Sequence, residues 1–175
     1  ATIRAIAEDE ELDIHFGPGA PSAQGSRLRL PAPPQGASAE EIDAVRGIGD
    51  EYALRYKYHD ASLHSRFCPS SGAAQEMFEW IESARIASLG TLRMEGVAAN
   101  LDAHLEAQCK QAEFDSLTAE TDSPLSVAVG LIVRQELTGR ELPSSAEKVV
   151  KNWREHVLSN AGDHIEVLKN HIQDQ

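Results

Sequence analysis

The stretch SAEEIDAVRGIGDEYALRYKY, residues Ser38 to Tyr58, decides the fold. Ser38 and Glu41 form a capping-box pattern, in which the hydroxyl and the carboxylate each satisfy a backbone N–H that the start of a helix leaves free. Ile42, Val45, Gly49, Tyr52 and Tyr56 then recur at spacings of three and four, a narrow apolar stripe that predicts a helix with one face on a core. Gly47 and Gly49 each cost such a helix about 1 kcal/mol relative to alanine, and they point to a kink or to close approach of another backbone.

Upstream, residues 1–8 read as the tail of a helix. Leu12, Ile14 and Phe16 then alternate with Glu11, Asp13 and His15, the period of a half-buried strand. A Gly/Pro/Ser loop spans Gly17 to Ser26, and Leu28 and Leu30 alternate with Arg27 and Arg29. The expectation is an antiparallel pair with acids facing arginines, resting on the helices because a lone hairpin is marginal in water. Pro31, Pro33, Pro34 and Gly36 separate this part from the rest.

Downstream, a loop is expected from about Asp60 to Gly72. A helix over about 73–89 presents Met77, Phe78, Ile81 and Ala84, and Gly90 is its expected end or interruption. Another over about 93–111 carries Met94, Val97, Leu101 and Leu105, with Asp102, Glu106 and Lys110 one turn apart on its polar face. Residues 113–122 read as a polar loop. Ser123 is the expected N-cap of the next helix and Pro124 its first residue. Val127, Leu131 and Ile132 pack, and Gly139 supplies the stop. Ser144 with Glu147 repeats the capping-box pattern ahead of Val149, Val150, Trp153 and Val157. A break is expected at Asn160–Gly162, before a last helix with Asp163, Ile165, Glu166, Leu168 and Ile172. The fold expected is mainly α, a multi-helix domain with a small N-terminal β-hairpin. It divides into residues 1–36 (helix end, hairpin and Pro-rich linker), 37–112 (a core of three helices) and 113–175 (C-terminal helices).

The chain has 175 residues, enough for one well-buried core. Aromatic residues are only 5%, so Leu, Ile, Val and Ala must supply most of the burial. Sixteen basic against twenty-eight acidic residues give a net charge of −12, a surface that repels phosphate backbones and anionic bilayers. Nucleic acid and membrane are therefore not expected partners. No run approaches the roughly 20 apolar residues that span a bilayer. Cys68 and Cys109 lack CxxC spacing and read as reduced thiols of a cytoplasmic protein. The chain starts at Ala1 and still reads as helix near Ile172, so a fragment of a longer protein is expected.

No complete catalytic or nucleotide-binding motif occurs. GxxxxGK[ST], GxSxG and HExxH are absent. Asp60-Ala61-Ser62 begins the magnesium-binding DxSxS pattern, but His64 stands where the second serine is needed. The densest polar constellation is Arg46, Asp50, Arg55, His59, Asp60, His64 and Arg66, with Tyr52, Tyr56 and Tyr58 inside it. A His–Asp pair such as His59-Asp60 can hold a metal or orient an imidazole for proton transfer. His64 and Cys68 would be one turn apart were that segment helical, a second possible ligand pair. Against this, a histidine at a helix C-terminus is favoured by the macrodipole, and Asp60 can simply cap or turn the chain. Arginines among acids usually form surface or interhelix ion pairs. His15, His104, His156, His164 and His171 read as solvated.

The run Arg46-Gly47-Ile48-Gly49-Asp50, then Ala53-Leu54-Arg55, His59-Asp60 and His64, resembles the N-terminal region of the CobT family. Glu82-Ser83-Ala84-Arg85, the stretch from Gly90 through Met94-Glu95-Gly96-Val97-Ala98 to Asn100-Leu101, and Leu137-Thr138-Gly139-Arg140 with Trp153 follow the same family in the same order. The resemblance implies a part in ATP-dependent insertion of cobalt into hydrogenobyrinic acid a,c-diamide. It implies a CobS-like AAA+ ATPase and a CobN-like large subunit, which binds tetrapyrrole and cobalt, as partners. In that family an acidic linker leads to a C-terminal adhesion-type domain, and the missing DxSxS places that half outside this sequence. ATP, Mg2+ and Co2+ are thus implied for the whole complex, and no cofactor, metal or catalytic residue is assigned to this chain.

Three readings of function follow. In the first the chain is an assembly module that docks to CobS, to CobN or to copies of itself, with Arg46, Asp50, Tyr52, Arg55, His59, Asp60, His64 and Arg66 as interface candidates, since Tyr and Arg are favoured at interface hot spots. In the second, His59, Asp60, His64 and Cys68 bind divalent cobalt or zinc. A third reading, a di-metal hydrolase, needs another upstream histidine, and His15 on a strand is a poor candidate.

Overall fold

The computed structural model describes residues 2–117 and 123–175. Seven α-helices and a three-stranded sheet follow in the order α1 (Thr2–Ala7), β1 (Asp13–Gly17), β2 (Ser22–Gln24), β3 (Arg27–Pro31), α2 (Ala39–Tyr58), α3 (Ala61–Phe67), α4 (Gly72–Arg93), α5 (Glu95–Gln111), α6 (Leu125–Thr138) and α7 (Glu147–Asn170). The mainly helical fold with a small N-terminal β element is as expected. The pairing is not. β1 runs parallel to β3, with Asp13 opposite Arg27 and Phe16 opposite Leu30, and β2, inside the expected loop, supplies the antiparallel partner. Leu28 and Leu30 are buried, and so is Leu12 just before β1. Phe16 remains 61% exposed, because the packing around Leu12 and Ile14 stops short of it.

Helix α2 starts as its sequence predicts. The Ser38 hydroxyl accepts from the Glu41 N–H at 3.2 Å and the Glu41 carboxylate accepts from the Ser38 N–H at 2.8 Å. Its buried face, however, is Gly47, Gly49, Asp50, Ala53 and Leu54, while Ile42, Val45, Tyr52 and Tyr56 lie half-buried at its edges. The reason is that α2 is packed on several sides at once. A β-carbon on Gly47 would stand 2.2 Å from the Asn100 carbonyl oxygen of α5, and one on Gly90 of α4 would stand 2.4 Å from Leu54 Cδ1. Both glycines are therefore places where another element fits against bare backbone. Gly90 does not end α4, which continues to Arg93.

Four further boundaries differ from expectation. Residues 61–67 are helical because Asp60 caps them, its carboxylate accepting from the N–H groups of Ser62 and Leu63. Pro124, rather than Ser123, caps α6. Ser123 is buried, where its carbonyl accepts the Trp153 indole N–H at 2.9 Å and its hydroxyl the Asn152 amide at 2.7 Å. Ser144–Ala146 form a short 3-10 turn and no second capping box forms, since α7 begins at Glu147 with Ala146, which has no hydroxyl, at the cap; the Ser145 hydroxyl donates to Glu106 at 2.6 Å. Helix α7 also runs unbroken through Asn160–Gly162, with Val157 and Ile165 buried on either side. Gly139 does stop α6, in a left-handed conformation at φ 67°. Of the expected loop 113–122, residues 118–122 lie outside the described residues.

Two apolar clusters meet along α4. One gathers Ala84 with Leu131, Ile132 and Val133 of α6 and Val149, Val157 and Ile165 of α7. The other gathers Ile86 and Ala87 with Leu54 of α2, Val97 and Leu101 of α5 and Leu12. No helix among the described residues is long and apolar enough to cross a membrane.

Candidate functional site

The end of α2, the whole of α3 and the middle of α4 bring one polar group together. His59 ends α2, its N–H donating to the Arg55 carbonyl at 3.1 Å, and its ring turns inward, where Nδ1 lies 3.0 Å from Glu82 Oε1. Glu82 is also gripped by Arg85, whose Nε reaches Oε2 at 2.8 Å and Nη2 reaches Oε1 at 2.9 Å. Burial works against the Glu82 charge, but Arg85 and His59 outweigh it and hold the carboxyl below its ordinary value. Arg85, itself buried, also donates to the carbonyls of Tyr58 at 2.9 Å and Ile172 at 3.1 Å, tying the end of α2 to the residues after α7.

His64 is buried in α3 with its ring between His59 (centroids 4.7 Å apart) and Phe78 (4.8 Å). Its Nε2 lies 2.9 Å from Glu79 Oε1, and its buried Nδ1 has no hydrogen-bond partner among the described residues. Cys68, directly after α3, is half-buried and reduced. A ring nitrogen of His64, the Cys68 Sγ and a Glu79 oxygen lie within 4.8 Å of one another. Arg55 approaches the other Glu79 oxygen at 3.7 Å.

Asp60 does not join this group. Its carboxylate is taken by the α3 cap, and its N–H and carbonyl meet the Gln175 side chain at 2.5 and 3.3 Å. The set His59, Asp60, His64 and Cys68 is therefore not assembled around one point: His59 faces Glu82, Asp60 faces backbone, and Glu79 stands in their place. Arg46 is exposed and paired with Asp43 at 2.9 Å. Asp50 is buried against α5, where Asn100 donates to it at 2.7 Å, so it is closed to any partner. Burial pushes its carboxyl above the ordinary range, the Asn100 bond and Arg46 offsetting only part. Arg66 is exposed, its guanidinium 5.3 Å from the ring centre of Phe67. Tyr52, Arg55, Tyr56 and His59 line a surface groove of about 440 Å³ with Ala23, Gly25 and Ala61. His104 is not solvated as expected but sits half-buried, 3.2 Å from Glu51.

Reading the sequence missed Glu79 and Glu82 as members of the site. Their signal was two carboxylates three residues apart on a helix otherwise turned to the core, with Arg85 three further on. The other thiol offers no nucleophile: burial pushes Cys109 up to about 11.

Among the described residues, these features define a helical protein whose buried polar residues are mostly spent on joining its own elements, with a Tyr/Arg surface groove and a His/Cys/Glu cluster. The chain belongs to the CobT family: the family described as "Cobalamin biosynthesis protein CobT" matches residues 1–175, the whole chain. Its role therefore lies in cobalamin biosynthesis, as a subunit of the cobaltochelatase, which implies partner subunits. No solved structure matches the chain.

Proposed function

We propose that the chain is an assembly module of the cobaltochelatase, docking to an AAA+ ATPase subunit and to the large tetrapyrrole-binding subunit. In this reading ATP, Mg2+ and Co2+ act elsewhere in the complex, and this chain passes ATPase-driven movement to the subunit that inserts cobalt into hydrogenobyrinic acid a,c-diamide. The observation that carries it is the groove of Tyr52, Arg55, Tyr56 and His59 beside β2. Tyr56 is held rigid by its hydroxyl, which donates to the Gly25 carbonyl at 2.8 Å, and preset aromatic and arginine side chains lose little entropy on docking. The family match supplies the setting.

Sedimentation of the chain with the ATPase subunit, with and without nucleotide, tests this. The variant Tyr52→Ala with Arg55→Ala should abolish the heavier species while the far-UV spectrum is kept, since each hot-spot truncation costs roughly 2 kcal/mol or more. Unchanged assembly together with full chelatase activity would remove the groove as the contact.

A further inference from the structure

We propose that His64, Cys68 and Glu79 form a binding site for one divalent cation of borderline softness, of the zinc(II) class. Three different donors converge there: an imidazole nitrogen, a sulfur and a carboxylate oxygen, all within 4.8 Å of one another. Two come from consecutive turns around α3 and the third from α4, so the ion would clip together the two helices that meet at this corner. A tetrahedral ion with bonds of about 2.0–2.3 Å needs its donors roughly 3.3–3.8 Å apart. Cys68 lies beyond the last residue of a seven-residue helix, and the Glu79 side chain is 42% exposed, so both can move the remaining distance.

A second, independent observation points the same way. The His64 ring is clamped between two other rings, one nitrogen on a carboxylate and the other buried without a partner. A neutral imidazole has one N–H and one lone pair, so either tautomer leaves a buried nitrogen unmet. With Nε2–H kept on Glu79, a cation on Nδ1 takes up the lone pair left without a partner and gives the carboxylate a positive partner. Binding releases the Cys68 thiol proton to solvent, leaving thiolate and carboxylate to balance the two positive charges. The sulfur donor selects zinc-like ions over magnesium or calcium. Arg55, beside the other Glu79 oxygen, orients the carboxylate, and a fourth position stays open to water or to a group from a partner.

The full chain, stripped with chelator, is titrated with Zn2+ against a chromophoric chelator and with Co2+ in the near ultraviolet. One equivalent should bind, and Co2+ should give a thiolate-to-metal charge-transfer band. Cys68→Ser should abolish the band, and Glu79→Gln should weaken Zn2+ by at least about tenfold, the loss that even an outer partner's removal produces. Both positions are partly exposed, so both variants should keep the wild-type far-UV spectrum. His156→Ala with His164→Ala, exposed histidines of α7 outside the donor set, should leave the first equivalent unchanged. A missing thiolate band, or a folded Cys68→Ser variant that binds Zn2+ like the wild type, would overturn the site. Tyr52→Ala alone, which leaves Arg55 on Glu79, reads the docking groove without touching the three donors, so either proposal can fail alone.

Discussion

Helix α2 makes two seams, and they solve the same problem with different chemistry. Against α5 it offers Gly47 to the Asn100 backbone and buries Asp50 with the Asn100 amide as its hydrogen-bond partner. Against α4 it receives Gly90 under Leu54, and there the buried carboxylate, Glu82, has a guanidinium and an imidazole on it. The two acids respond oppositely: burial wins at Asp50 and raises its pKa, while the cations overcome burial at Glu82 and lower it. At Asp50 the charge of Arg46, which makes no hydrogen bond to it, offsets only part of the burial, whereas at Glu82 two cations bonded to the carboxylate outweigh it.

The largest effect is expected from Arg85→Met. It strands Glu82 and two carbonyls, and breaking one side of a buried pair costs about 3–5 kcal/mol. Denaturant unfolding should show that loss, with part of it restored by adding Glu82→Gln. A loss under about 1 kcal/mol would mean that Glu82 is not held as described.

The glycines come next. Gly47→Ala should cost about 3 kcal/mol, the upper end for overpacking, because the clash is with backbone on α5. Gly90→Ala should cost less, about 1–2 kcal/mol, since Leu54 is a side chain that can turn away. Combining it with Leu54→Val should cost less than the sum of the two single changes. Additive costs would show that Leu54 is not what fills the space at Gly90.

Acid sharpens the contrast further. Glu82 has a folded pKa below 4.5, so its stabilising contribution is complete above 4.5 and is lost as pH falls through the depressed value. Stability measured from neutral pH downwards should fall less steeply below pH 4.5 in Glu82→Gln than in the wild type, from a lower starting point. An unchanged slope would contradict the assignment.

The smallest effect, and the only gain, is expected at Asp50. Its folded pKa lies above 3.8, so the unfolded state ionises first and Asp50 costs stability as pH rises from 3.8 through the raised value. Asp50→Asn keeps the shape and an acceptor for Asn100, and should be neutral or up to about 1 kcal/mol more stable at pH 7. Below pH 3.8 the gain should vanish. A clear destabilisation at pH 7 would mean that the charge itself is needed.

The candidate site was half legible in the sequence. His59, His64 and Cys68 stood out because their spacing is local, and the i, i+4 relation of His64 and Cys68 survives once Asp60 starts a helix there. Glu79 was not singled out, and Glu82 only within the family-like run Glu82–Arg85, since only the packing of α4 beside His59 and His64 shows that they meet the histidines. Asp50 was placed with that group by sequence proximity, yet a helix turns it toward α5.

What Ser38 and Glu41 promised, they delivered, because a capping box closes between a side chain and backbone three residues away and needs no other element. The same holds for the left-handed Gly139 and for the alternation of Leu28 and Leu30. The similar pattern at Ser144 and Glu147 gave no box, and Ser123 did not cap α6. The parallel pairing of β1 with β3 and the unbroken α7 were likewise decided by the packed whole. In each of these a local preference worth about 1 kcal/mol competes with burial and hydrogen bonds brought by distant residues, such as Trp153 on Ser123 or Glu106 on Ser145. Elements therefore followed from sequence wherever the competing contacts were weak, and tertiary structure decided their ends, pairing and buried faces wherever those contacts were stronger.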